Sequence, residues 1–195
     1  MTSSPLISPT EAAAYGDLPS PAPHSEAELA ALLHLLTGPD ARITTVVVGH
    51  SRDAASRSAA AAFVEAWRGL GRPPVLVVID WPESAASWLR AARRFTVDEP
   101  DAWVVAAAPL GWAQMSRRLR HSTDWDPGRT YGFATLGDSR VPALAGAATL
   151  QGMRGVTSDG GTWTVDRGWA THSPPPPPLH PLPPLRPSAH PHGTL

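Results

Sequence analysis

The sequence predicts an α/β fold, a three-layer sandwich around a mainly parallel sheet of four to five strands. Two observations predict it. A short apolar or β-branched run followed by an amphipathic helix recurs three times between Ile43 and Arg120, with the runs at 43–48, 75–79 and 102–106. The second run, continued to Asp80, is apolar on both faces, as a strand covered by helices on either side should be. Strands alternating with helices build parallel sheets, and parallel sheets place ligands at the carboxyl ends of their strands.

Each element follows from local signals. Residues 1–24 are rich in Ser, Pro and Ala and are expected to be disordered or loosely draped. Ser25 and Glu28 have the spacing of a capping box, in which each side chain satisfies the other's backbone amide. Leu29, Leu32, Leu33 and Leu36 follow at helical spacing and Gly38 stops the run, so 25–38 reads as a helix with a leucine stripe. The α/β domain is expected over 39–170. Its first strand runs from Ile43 into Gly49, then a helix from Ala54 to Leu70 carries Phe63, Trp67 and Leu70 on one apolar face. After the second strand, Pro82 suits the first turn of a helix whose buried face is Ala85, Trp88, Leu89, Ala92 and Phe95. Asp101 leads into the third strand, and Trp112, Met115 and Leu119 mark the third helix. A fourth strand is expected over 131–136, a short helix near 142–145, and a hairpin turning at Asp159-Gly160-Gly161 with Trp163 to Val165 as its second arm. From 171 to 195 the chain is a proline-rich tail expected to be disordered, since the five prolines 174–178 enforce polyproline II.

Composition excludes several classes. There is no cysteine, hence no disulfide, thiolate nucleophile or cysteine-bound metal. The net charge of −1 includes no dense basic patch, which gives no electrostatic case for nucleic acid or an anionic membrane. Lysine and asparagine are both absent, which fits the codon bias of a GC-rich genome. No stretch approaches the ~18 apolar residues of a membrane span. A basic n-region and apolar h-region are not visible at the N-terminus, so a cytoplasmic protein is expected.

Motifs with chemistry are few. The run from Val46 to Ser51 enters a turn much as a strand enters the nucleophile elbow of an α/β-hydrolase, with Ser51 as nucleophile and Asp138 and His172 following in the required order. Against it, Asp53 stands where the elbow needs a small glycine and would put negative charge beside a developing oxyanion. No strand precedes Ile43 to supply the second oxyanion amide, and His172 borders the proline tail. His50 and His121 are isolated as metal ligands. Asp124 and Asp126 flank Trp125 in an expected turn, and no phosphate-binding glycine loop is present. Pro181 to Arg186 matches a P-x-x-P-x-R ligand for SH3-type grooves, and His172, His180, His190 and His192 are scattered in or beside the tail.

With the strands placed, the stretch from Ile43 to Gly168 resembles one lobe of a type 1 periplasmic binding protein, of the kind that serves ABC transporters for branched-chain amino acids and amides. The resemblance rests on the helix from Arg57 to Leu70 ending in Gly-Leu-Gly before a strand, on Trp81-Pro82-Glu83, and on the run from Pro100 to Val105 followed by Gly111 to Leu119. Leu150-Gln151-Gly152-Met153-Arg154-Gly155 with Asp159-Gly160 resembles the family's closing segment. The resemblance implies non-catalytic binding of a small polar metabolite, without a cofactor, by loops that follow the strands. Those loops hold His50, Ser51 and Arg52, then Asp80 and Trp81, then Pro109, then Asp138. In this scheme Ser51 with free helix amides receives a carboxylate, Asp80 takes an ammonium, and Trp81 covers an apolar group or cation. The family binds between two lobes and usually works outside the cytoplasm. This chain is long enough for one lobe, so a homodimer or a second-lobe partner is expected to complete the site. The serine-hydrolase reading with Ser51, Asp138 and His172 stands as the alternative.

Overall fold

The computed structural model describes residues 6–39, 41–85 and 87–177. Seven strands form one sheet in the order β2-β1-β3-β4-β5-β6-β7. They are β1 (Val46–Ser51), β2 (Val77–Trp81), β3 (Ala102–Ala106), β4 (Thr130–Gly132), β5 (Arg154–Val156), β6 (Thr162–Asp166) and β7 (Trp169–Ser173). The first five pair in parallel, with Val48 of β1 lying between Val78 and Val104, and β6 and β7 then return antiparallel. The expected parallel sheet is present, enlarged by one hairpin.

The helices are α1 (Pro9–Ala13), α2 (Glu26–Thr37), α3 (Ala54–Gly69), α4 (Leu89–Thr96), α5 (Pro109–Ser122) and α6 (Arg140–Ala145). On one face of the sheet, Leu32 and Leu36 of α2 and Phe63 and Trp67 of α3 pack on Val46, Val48 and Val104. On the other, Phe95 of α4, Trp112 of α5 and Leu144 of α6 pack on Val47, Ile79 and Val105. This alternation along each strand is the pleat delivering successive side chains to opposite layers. The second core is an aromatic relay. Trp81 meets Phe95 at 6.0 Å and Trp112 at 5.8 Å, Phe95 meets Trp103 at 6.3 Å, and Trp112 meets Trp125 at 5.7 Å between ring centroids. At the outer edge, Leu76 and Val78 of the β2 segment remain exposed.

Several elements differ from expectation. β1 starts at Val46 because Thr44 and Thr45 are committed elsewhere: their backbone amides and hydroxyls donate to Asp101 Oδ2 at 2.7–3.0 Å. This clamp fixes the entry of β3 beside that of β1. No helix opens at Pro82; α4 begins at Leu89. The intervening backbone instead presents the Pro82 carbonyl to Trp88 Nε1 and the Glu83 carbonyl to Gln114. β4 is only three residues long, and the chain turns into a 3-10 helix at Ala134–Gly137. β7 was not expected, and Thr171, His172 and Ser173 belong to it rather than to a loose tail.

The N-terminal segment is also corrected. Residues 6–24, expected to be disordered or draped, include α1, with Ser8 capping it through the Glu11 amide. Ile7 joins the core, and Glu11 pairs with the buried Arg117 at 2.6 Å. The capping box of α2 forms as expected between Ser25 and Glu28. Glu28 additionally accepts the Ala134 amide at 2.6 Å, which ties α2 to the exit of β4. The Pro181–Arg186 motif and His180, His190 and His192 lie outside the described residues.

Candidate functional site

The carboxyl ends of β1, β2, β3 and β4 share one rim, and the sheet reverses direction of winding between β1 and β3. In open α/β sheets this switch point forms the crevice in which ligands bind.

Beyond β1, His50 Nδ1 donates to the Ser51 carbonyl at 2.7 Å, and Asp53 caps α3 by accepting the Ser56 amide at 2.8 Å. Ser51 is buried, and its Oγ accepts the Ala108 amide at 3.0 Å, so the hydroxyl laces β1 to the turn after β3. Arg52 Nε meets Asp80 Oδ2 at 2.6 Å, with the two side chains 60% and 48% exposed. Asp80 is held below its ordinary range chiefly by that hydrogen bond, with the charges of Arg52 and His50 adding to it. Arg52, Asp80, Ser87 and Arg90 line a cavity of ≈ 380 Å³ on the β2 side of the rim.

Sequence reasoning passed over Glu83, which the fold brings to the same place. Its Oε2 accepts the Gly111 amide at 2.8 Å, in the first turn of α5, whose cap residue Ala108 has no side-chain oxygen to offer. A carboxylate at a helix N-terminus is favoured by the free amides and the dipole. Burial nonetheless pushes Glu83 above its ordinary value, with the negative charge of Asp53 adding to the rise, while the Ser51 hydroxyl and the Gly111 amide pull the other way. The only signal for this pairing in the chain is the small residue at Gly111: a Cβ there would lie 2.5 Å from Glu83 Oε1.

The remaining predicted residues separate. Trp81 is 0% exposed and packed within the aromatic relay, so it forms floor beneath the rim and presents no face above it. Pro109 is buried as the first residue of α5. Asp138 lies on the far side, where its carboxylate accepts from Arg140 Nε at 2.9 Å and Nη2 at 2.7 Å, and these bonds lower it. His172 is beside it, donating from Nε2 to the Gly137 carbonyl at 3.0 Å. These two line a separate cavity of ≈ 450 Å³.

The hydrolase reading fails on this geometry. Ser51 ends β1 and His172 sits on β7, with β3, β4, β5 and β6 between them. Five interstrand steps of ~4.8 Å put them about 24 Å apart, far beyond hydrogen-bond reach. The acid facing Ser51 is Glu83, with no imidazole between them. Among the described residues, no three His, Asp or Glu side chains converge as a metal site would require.

No family model and no curated protein matches this sequence. Solved structures do. A putative branched-chain amino acid ABC transporter protein from Rhodospirillum rubrum superimposes with a TM-score of 0.56 at 23% identity, covering 70% of this chain and 37% of that one. An extracellular ligand-binding receptor from Verminephrobacter eiseniae gives 0.57 at 13% identity, covering 69% and 38%. A substrate-binding periplasmic protein from Ralstonia solanacearum gives 0.54 at 16% identity, covering 72% and 39%. The fold is that of one lobe of a type 1 periplasmic binding protein. The chain spans less than two fifths of the length of these structures. The expectation of a cytoplasmic protein is corrected by the same likenesses, which are to proteins described as periplasmic and extracellular. Among the described residues, no helix is long and apolar enough to cross a membrane.

Proposed function

We propose that this chain is the recognition lobe of a non-catalytic receptor for a small zwitterionic metabolite, an amino acid or amide, acting outside the cytoplasm. The observation that carries the reading is the Arg52–Asp80 pair, opposite charges 2.6 Å apart on adjacent strand exits and open to solvent. A guanidinium receives a carboxylate in bidentate fashion and an ionised aspartate receives an ammonium. An amino acid inserted between them exchanges one ion pair for two. His50 borders the same exits. Ser51 and Pro109 hold the turn that positions them, and Trp81 gives the floor its rigidity. Asp138, bound to Arg140 in its own cavity, takes no part in that exchange; a second lobe or a second copy of the chain closes over the rim.

A thermal-shift panel of amino acids and small amides tests this. Ligand at one hundred times Kd stabilises by about 2.7 kcal/mol, a shift of several degrees that Asp80→Asn abolishes. A panel without a single shift overturns the reading. Light scattering that finds only monomer, with and without ligand, removes the second-copy version of the closing partner.

A further inference from the structure

The crevice at the switch point is already filled, and what fills it is the chain's own N-terminal segment. Residues 6–24 cross the carboxyl ends of the strands between two fixed points. At one end Ile7 is buried, its amide donates to Gln114 Oε1 at 3.3 Å, and Glu11 pairs with Arg117. At the other end Ser25 begins α2. Between them, Tyr15 donates its hydroxyl to the Ala143 carbonyl at 3.1 Å, and Arg140 Nη1 donates to the Asp17 carbonyl at 2.6 Å. Pro21, Ala22 and His24 then lie over Ala106, Ala107 and Phe133, where His24 meets the Phe133 ring edge-on at 6.2 Å. Beneath them only ≈ 10 Å³ remains, room for at most one water. Ser56, in the first turn of α3, lines that space. It is 2% exposed, and its hydroxyl has no partner there.

The cover is held by few contacts. No side chain from Ser8 to His24 is fully buried, and Ala12, Tyr15 and Leu18 pack only partly buried against the core. Pro19, Pro21 and Pro23 carry no N–H, so the segment cannot be stitched to a strand edge by a ladder of backbone bonds. Gly16 has φ +66° with nothing within 4 Å of a Cβ placed there, and so supplies a free pivot beyond α1. Segments with few buried contacts and exposed backbone bonds open at low cost.

We propose that residues 17–24 are a removable strap, an intramolecular occupant of the crevice that competes with ligand for the surface formed by Ala106, Ala107 and the first turn of α3. The competition rests on the binding reading above; the strap itself does not. A ligand held at Arg52 and Asp80 reaches across the switch point only when the strap lifts, so its apparent affinity is scaled by the open fraction.

Because the chain has no cysteine, Ser56→Cys places a single thiol beneath the strap in the 195-residue chain. Its reaction with a small disulfide reagent is followed in that background and with Tyr15→Phe and His24→Ala added. The pair removes one hydrogen bond beside the pivot and one aromatic contact; labelling is expected to accelerate about tenfold, with a melting temperature lower by about 3–6 °C and a labelling rate insensitive to low urea, as opening short of unfolding requires. Equal rates in the two proteins overturn the strap. Should Ser56→Cys not fold, Ala107→Cys carries the same measurement. The amino acid and amide panel is run alongside. Faster labelling with a silent panel upholds the strap and removes the binding reading. Panel shifts with unchanged labelling do the reverse. Where both hold, the loosened chain binds its ligand up to tenfold more tightly.

Discussion

Gly49→Ala tests whether Trp81 is floor or ligand-facing. Gly49 lies mid-strand in β1, and a Cβ built there falls 2.5 Å from Trp81 Cζ3 and 2.7 Å from Phe95 Cε2. Ordinary carbon contacts lie near 3.5–4.0 Å, so the rings must retreat by about 1 Å. They have nowhere to go. Trp81 is held against Phe95 and Trp112, and all three are fully buried. Overpacking a dense core by one methyl costs about 2–3 kcal/mol. For a chain of this length that corresponds to a melting temperature lowered by about 5–10 °C. Gly69→Ala is the internal control. It ends α3 with nothing within 4 Å of its added Cβ, so the same chemical change relieves backbone entropy and raises stability by about 0.5–1 kcal/mol. Differential scanning calorimetry on both variants decides the matter. An unchanged melting temperature for Gly49→Ala means that Trp81 can swing out, and the floor described here is then wrong.

Two further outcomes follow from the rim and the strand entries. Glu83 is raised above its ordinary value of 4.5, so its contribution to stability is fully present below that value and is lost as pH rises through the raised one. Glu83→Gln keeps an acceptor for Gly111 and cannot ionise, so its stability advantage over the parent should grow from pH 4.5 to 7.5; a gap independent of pH contradicts the assignment. Asp101 has the opposite sign, since the Thr44 and Thr45 donors lower it strongly. Its contribution is present above the unfolded value and disappears as pH falls through the folded one. Asp101→Ala should cost about 2 kcal/mol at neutral pH, read by urea unfolding, and a loss below 0.5 kcal/mol would show the clamp to be idle.

The parallel core was legible because its signals are local. Val46 to Val48 and Val104 to Val105 are β-branched runs buried on both faces, and Leu32 and Leu36 repeat at helical spacing behind a capping box. β7 was not legible because it is an edge strand with little burial on either face. It is entered through a turn in which Arg167 takes φ +49°, a conformation its residue type does not advertise. The N-terminal segment was misread because Ser, Pro and Ala have the composition of disorder, whereas the partners that fix Glu11, Tyr15 and Asp17, namely Arg117, Ala143 and Arg140, are more than a hundred residues away. At the rim, His50, Arg52 and Asp80 were reachable from strand-end logic alone. The burial of Trp81, the lacing by Ser51 and the arrival of Glu83 at α5 all depend on which helix packs over which strand, and spacing carries no such information.

The linked indoles have an optical consequence. Trp81, Trp112 and Trp125 stand in successive ring contact, and Phe95 joins Trp103 to the group. Excitation absorbed by any of these tryptophans migrates among them before emission, so their fluorescence is a collective property of the buried set, blue-shifted by its dry surroundings. Trp169, 68% exposed as the first residue of β7, emits apart from them toward the red. Displacement of the one indole beneath Arg52 and Asp80 therefore changes the emission of the linked set as a whole, against a background from Trp67, Trp88 and Trp163, which are buried outside those ring contacts.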